Sequence, residues 1–141
     1  MNYRLNPYLS FDGNCDEAFA LYSRVFGGHP QTMRYGQAPG ESPIPAEYSS
    51  HVMHTQLALP GGQWLMGSDV VPGFSDEHKV GNNVTIALIP DTLEEAERIL
   101  KALAVGGRVL CPLEQQFFGY MGISEDAYGV QWLVTYGTEM Q

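Results

Sequence analysis

The sequence predicts an α+β fold built from two successive βαβββ modules. Two observations carry this. A strand, a capped amphipathic helix and a Gly-Gly stop occur in that order once in each half of the chain. Each helix is then followed by three segments that read as strands.

Tyr3 to Phe11 (YRLNPYLSF) is the first strand, rich in aromatics and closed by Asp12-Gly13. Asn14 stands where a helix N-cap belongs, with Glu17 three residues on as in a capping box. Cys15, Ala18, Phe19, Tyr22, Val25 and Phe26 recur at helical spacing and form one apolar stripe. Gly27-Gly28 supplies the left-handed residue that ends the helix. Strand-like segments follow at His29 to Tyr35, His51 to Leu59 and Gln63 to Ser68, the last two joined by the turn Pro60-Gly61-Gly62.

The second half repeats the pattern. Thr85 to Ile89 is a strand, Asp91 an expected N-cap with Glu94 three residues on, and Leu93, Ala96, Ile99, Leu100 and Leu103 the stripe. Gly106-Gly107 ends the helix, and strands are expected over Arg108 to Leu113, Phe117 to Ser124 and Val130 to Tyr136. The chain of 141 residues therefore reads as one domain, with module 1 at about 1–70 and module 2 at about 80–141. One helix covers one face of a four-stranded sheet, so the other face must find a partner or line something. Residues 36–50 and 70–80, rich in Gly, Pro and Ser, read equally as lids or as flexible connections.

Hydrophobic residues make up 44% and charged residues 16%, which suits a packed core and argues against disorder. Seven Lys and Arg stand against sixteen Asp and Glu, without a basic cluster, so neither nucleic acid nor an anionic membrane is an expected partner. No apolar run approaches the roughly 20 residues of a membrane span. The opening MNYRLNPYLSF lacks a signal-peptide core, and a cytoplasmic location is expected. There Cys15 and Cys111 read as reduced, small buried residues.

His51 and His54 invite a metal reading, but residues three apart on a strand face opposite sides unless a bulge intervenes. On the alternation, Thr55, Leu57 and Leu59 point one way and His54, Gln56 and Ala58 the other. His54 is either a half-buried sheet histidine bonded to a neighbour or a polar group of a ligand pocket. Asp69 reads as a turn residue rather than an acid or base, and Glu114, Glu125 and Asp126 read either as catalytic carboxylates or as ordinary solvated acids near turns. Phe117, Phe118, Tyr120 and Trp132 read as core, with one or two lining an aromatic-walled cavity. Gly-rich phosphate loops, dinucleotide fingerprints and nucleophile elbows do not occur.

With this duplicated pattern, NPYLSFDGNCDEAFALYSRVFGG, HTQLALPGGQWLMGSD and LAVGGRVLCPLEQQFFGYMGISEDAYGVQWLV resemble the vicinal oxygen chelate superfamily, the glyoxalase, bleomycin-resistance and ring-cleaving dioxygenase group, and within it the PhnB-like branch. The resemblance spans nearly the whole chain and implies curved mixed sheets forming a cup. It also implies a divalent metal held by His, Gln or Glu from the first and a late strand of each module. Carried over, those positions fall near Asn6 or Pro7, at Leu65 or Gly67, at Thr85 and at Leu133. Most of these are poor ligands, so no metal and no other cofactor is expected. PhnB-like proteins are sometimes labelled demethylubiquinone methyltransferases, yet neither a nucleotide loop nor a doubly wound α/β pattern for a methyl donor is present.

The expectation is a small-molecule binding protein, homodimeric as relatives commonly are, with His54, Gln56, Thr85, Tyr120 and Gln131 as substrate-binding residues and no catalytic residue assigned. The alternative is a metal-dependent lyase, isomerase or dioxygenase with an unusual site of His54, Asp69 and a residue such as Glu114.

Overall fold

A computed structural model describes residues 1–138 and divides into two compact units that meet in sequence at Lys79 and Val80. Each unit is a βαβββ module with a four-stranded mixed sheet, and the fold is α+β of the glyoxalase type.

In the first unit, β1 (Tyr8–Phe11) leads into α1 (Cys15–Phe26), followed by β2 (Gln31–Arg34), β3 (Val52–Ala58) and β4 (Trp64–Asp69). The sheet order is β1-β4-β3-β2, with β1 parallel to β4 and the other pairs antiparallel. The second unit repeats this with β5 (Ile86–Leu88), α2 (Leu93–Leu103), β6 (Arg108–Gln116), β7 (Gly119–Glu125) and β8 (Gln131–Tyr136), in the order β5-β8-β7-β6. Among the described residues no helix is long and apolar enough to cross a membrane.

The stripes read from the sequence are the buried faces. Cys15, Ala18, Phe19, Tyr22 and Val25 pack α1 onto Leu57 and Leu65 of its sheet. Ala96, Ile99, Leu100 and Leu103 pack α2 onto Trp132 and Val134. Each large side chain so buried contributes about 1.5–3 kcal/mol, most of it offset by conformational entropy. Both sheets carry a glycine where the helix crosses closest. A Cβ on Gly67 would lie 2.7 Å from Phe19 Cε1, and one on Gly122 would lie 2.9 Å from Leu100 Cδ2. Ser124 adds a hydrogen bond from its hydroxyl to the Leu100 carbonyl at 2.6 Å, one of the last four carbonyls that α2 leaves without a partner in the helix.

Asn14 is the N-cap of α1 as expected, but its capping bond is not the expected one, and the cap of α2 is a different residue. The Asn14 side chain makes no capping hydrogen bond with a described residue; the Asp69 carboxylate does that work from β4. In α2 the cap is Thr92, one residue after Asp91, and its hydroxyl accepts the Glu95 N–H at 3.1 Å. Asp91 has the residue type that caps, but the neighbouring threonine has the extended backbone of a cap (φ −134, ψ 154).

Strand ends shift too. β1 is shorter than Tyr3 to Phe11, although Asn6 and Pro7 still bond to β4 through Asn6 Oδ1 with the Trp64 N–H and the Pro7 carbonyl with the Met66 N–H. β6 runs three residues past Leu113, through Gln116, so the hairpin to β7 turns tightly at Phe117 and Phe118. These two rings pack edge to face at 5.2 Å, and Phe117 is fully exposed rather than core.

Candidate functional site

Each sheet has a face its helix does not cover. In the first unit Thr55, Leu57, Leu65 and Gly67 lie under α1, and the alternate residues of the same strands form the open face. His54 and Gln56 are on that open face, both half-buried, beside Tyr8 of β1 and Gln31 of β2. The Tyr8 hydroxyl lies 3.3 Å from His54 Nδ1. His54 Nε2 lies 3.1 Å from Gln56 Oε1, and the Gln56 amide donates to Gln31 Oε1 at 3.4 Å. With the Gln56 oxygen turned toward the ring, Nε2 carries the ring hydrogen and Nδ1 accepts from Tyr8; the opposite orientation of the two glutamine amides would reverse the row. The result is a hydrogen-bond track with side chains from β1, β3 and β2, passing over Met66 of β4, which contributes no polar group between Tyr8 and Gln56.

The second unit carries a corresponding track. Thr85 donates to Gln131 Oε1 at 3.4 Å, and the Gln131 amide donates to Glu125 Oε2 at 3.2 Å. Arg108 Nε closes the row 3.5 Å from Glu125 Oε1. The Gln131 amide first, and Arg108 second, hold the Glu125 carboxyl below the usual carboxylate range.

Of the five residues singled out from the sequence, His54 and Gln56 are brought together in one unit, and Thr85 and Gln131 in the other. Tyr120 is not with them. It pairs with Tyr136 in register with Gly122 and Ser124, so it shares the helix side of its sheet, its ring 6.4 Å from that of Tyr136. Tyr8 and Glu125 are track members that sequence reasoning did not select. Tyr8 read as an ordinary strand aromatic, and Glu125 as a turn carboxylate.

The unusual metal set does not assemble. Asp69 shares the helix side with Leu65 and Gly67, away from His54. Its Oδ1 accepts the N–H groups of Gly13 and Cys15, each at 3.0 Å, and its Oδ2 accepts that of Val52 at 2.9 Å. Asp126 is committed likewise, its Oδ1 to the N–H groups of Tyr128 and Val130 and its Oδ2 to the Trp132 indole at 3.0 Å. These are structural carboxylates, each tying loop backbone to the end of a module. Asp69 also adds to burial in pushing the Cys15 thiol far up, which leaves it a packed, inert group. Among the described residues no three His, Cys, Asp or Glu side chains converge as a metal site would require.

The register does slip between Met33 and Arg34 opposite β3, as a shared His51 and His54 site would need. His51 nevertheless lies before the strand, its ring edge-on to Tyr48 at 5.2 Å. The loop from 36 to 50 is pinned at its neck: Gly36 N–H donates to the Ser49 carbonyl, and Arg34 bridges the Ser50 carbonyl and Asp16 of α1. A surface groove of about 410 Å³ lies at the β3–β4 turn, bordered by Arg4, Asn6 and Gln63, and touches none of the five residues.

Residues 3–135 match the family described as 3-demethylubiquinone-9 3-methyltransferase, the PhnB-like group. The chain belongs to this family. Among curated proteins, the PhnB-like chain is similar to Protein YjdN of Escherichia coli strain K12, 28% identical over 143 residues and 92% of each chain. Among solved structures it is similar to protein PA1353 from Pseudomonas aeruginosa, with 37% identity, TM-score 0.79 and coverage of 96% of this chain and 98% of that one. The PhnB protein from Bacillus cereus follows at 24% identity and TM-score 0.72, covering 96% and 100%. More distant structures of the glyoxalase, bleomycin-resistance and dioxygenase group share the fold and, at their low identity, speak to fold alone.

The groups that such names bring with them do not fit this PhnB-like chain. Of the carried-over ligand positions, Leu65 and Gly67 sit under α1, Asn6 Oδ1 is bonded to the Trp64 N–H, and Leu133 offers no donor atom. Thr85 has a neutral hydroxyl there, which donates to Gln131. The nucleotide cradle of a doubly wound sheet is a strand, a Gly-rich turn and a helix. Here both sheets are mixed and mostly antiparallel, and Asp12-Gly13 and Pro90-Asp91, which lead into the helices, hold no such glycine run.

Proposed function

We propose that this PhnB-like protein binds a small molecule on the open sheet faces through hydrogen-bonding side chains, without the divalent ion on which metal-dependent relatives of this fold rely. The observation that carries the reading is the directed track Tyr8, His54, Gln56 and Gln31 on a face its own helix leaves uncovered. Its counterpart through Thr85, Gln131 and Glu125 supports it. Side chains this polar, held on strands and bonded to one another, are pre-organised for a ligand that carries both donors and acceptors. The Gln56 and Gln31 amides keep N–H groups beyond those they use in the track, and Tyr8 keeps an oxygen lone pair.

The protein works as a homodimer in the cytoplasm on this reading. The edge strands β1, β2, β5 and β6 and the exposed Phe117 support the first, and two free cysteines, Cys15 buried, the second. Light scattering on the purified protein reads the first directly, and a monomer mass at micromolar concentration rejects it.

The binding test is a fragment screen followed by the side-chain amide NMR signals of Gln31, Gln56 and Gln131. Hits that shift those amides are expected. A set of hits that shifts only resonances of the helix-covered faces overturns the proposal.

A further inference from the structure

We infer that the Tyr8–His54 pair is a proton-linked site for a carboxylate, in which uptake of one proton by His54 turns Tyr8 from an acceptor into a donor toward the ligand. The inference rests on the binding proposal above and names its ligand class.

In the neutral track Tyr8 gives its only hydroxyl hydrogen to His54 Nδ1 at 3.3 Å, so toward open space the phenol offers lone pairs. His54 Nε2 is already held by Gln56 at 3.1 Å, so Nδ1 is the position left for a second proton. Once protonated, Nδ1–H must donate, and the Tyr8 oxygen is the acceptor in reach. The bond keeps its place and reverses its direction. The Tyr8 hydrogen is released to point at an incoming oxygen. One proton is taken from solvent, none is lost, and no covalent bond other than N–H is formed.

Charge explains why the ligand is an anion. Around His54 on this sheet face, β1 contributes Tyr8 and Ser10, β2 contributes Gln31 and Met33, and β4 contributes Met66 and Ser68. Tyr8 is the one titratable side chain among these; Tyr35, just after β2, lies near enough to act on Tyr8 and is held neutral, chiefly by burial, and none of these groups carries a formal charge. An imidazolium here meets no carboxylate on its own sheet face, so an external carboxylate is its natural counter-ion. Bound there, the carboxylate accepts from Tyr8 and from the spare Gln56 and Gln31 amide hydrogens. The flanking Met66 offers a polarizable surface to an aromatic or apolar body.

The experiment uses the whole protein, with benzoate and its neutral counterpart benzamide as probes. Histidine ¹⁵N shifts, with His54→Gln to assign the signal, report tautomer and protonation, and calorimetry in buffers of different ionisation enthalpy reports proton uptake. Free protein is expected to show His54 as the Nε2–H tautomer. Benzoate should convert it to imidazolium with uptake of close to one proton, and its affinity should rise about tenfold per pH unit on the alkaline side of the His54 midpoint as pH falls. Benzamide should bind without that dependence, and Tyr8→Phe should remove the benzoate advantage. If both probes shift the Gln56 amide with the same pH dependence, the proton-linked site is overturned and the binding proposal stands. If neither probe perturbs Gln56, Gln31 or His54, the carboxylate site falls, and the fragment screen decides the wider proposal separately.

Discussion

The Asp69 carboxylate accepts the Cys15 backbone N–H at 3.0 Å across 54 residues of sequence. The end of β4 thereby caps the start of α1, and the same carboxylate holds the first residue of β3 through the Val52 N–H at 2.9 Å. Three elements of the first module are joined by one side chain. Tyr35 adds to the junction by donating its hydroxyl to the Asp69 carbonyl at 2.9 Å.

Replacing Asp69 removes the acceptor for three N–H groups, two of them in buried bonds. Asp69→Ala should cost about 3 kcal/mol or more, because buried donors left without a partner carry their full desolvation penalty. Asp69→Asn should also be strongly destabilising, since its NH₂ would face one of the donors. Urea denaturation of both variants checks this, and a loss below about 1 kcal/mol for the alanine variant would show that water replaces the carboxylate.

The two helix caps give a paired prediction. Thr92→Ala should cost about 1 kcal/mol by removing the hydroxyl that accepts the Glu95 N–H. Asn14→Ala should change stability by less than about 0.5 kcal/mol. Equal effects of the two substitutions in thermal or chemical unfolding would contradict the assignment of Asp69 as the working cap of α1.

Gly67 is required by the helix above it. An alanine there brings its Cβ to 2.7 Å from the Phe19 ring and 3.0 Å from the Leu9 carbonyl. Gly67→Ala should cost about 1–3 kcal/mol through overpacking. In a Phe19→Leu background the same change should cost less, and a double-mutant cycle reads the difference. Additive effects would mean that the Leu9 backbone, rather than Phe19, sets the limit.

The Glu125 carboxyl is held below its ordinary range, chiefly by the Gln131 amide and next by Arg108. A carboxyl depressed in the folded state stabilises fully above its unfolded pKa and loses that contribution as pH falls through the folded value. The second track should therefore loosen only in acid, below the usual carboxylate range. Gln131→Met removes the larger cause, so the Glu125 midpoint, followed by carboxyl ¹³C shifts, should move upward. An unchanged midpoint would assign the shift to Arg108 alone.

Much of this was legible from local pattern. The apolar stripes, the glycine stop of α1 and the alternation through His54, Thr55, Gln56 and Leu57 depend on neighbours within a turn or a strand, and the structure has them, whereas α2 ends at Leu103 on an Ala104 cap before it reaches Gly106-Gly107. Asn14 was legible as the N-cap of α1, but the acceptor at that helix start was not, because it comes from Asp69 in another strand, a partner that no short window contains. The side of the sheet that Tyr120 takes was not legible, because it depends on the β7–β8 register, which puts it with Gly122 and Ser124. Tyr8 escaped notice because a strand tyrosine is ordinary until β1 is seen beside β4, bringing its hydroxyl to His54. Glu125 needed the same kind of information, the cross-strand pairing with Gln131 and Arg108.

Metal content tests the central claim most directly. Protein expressed in medium supplemented with Zn, Ni, Mn and Fe and purified without chelators should hold far less than one divalent ion per chain by elemental analysis, and His54→Ala should leave that value unchanged. One tightly held ion per chain, lost on replacing His54, would contradict the account.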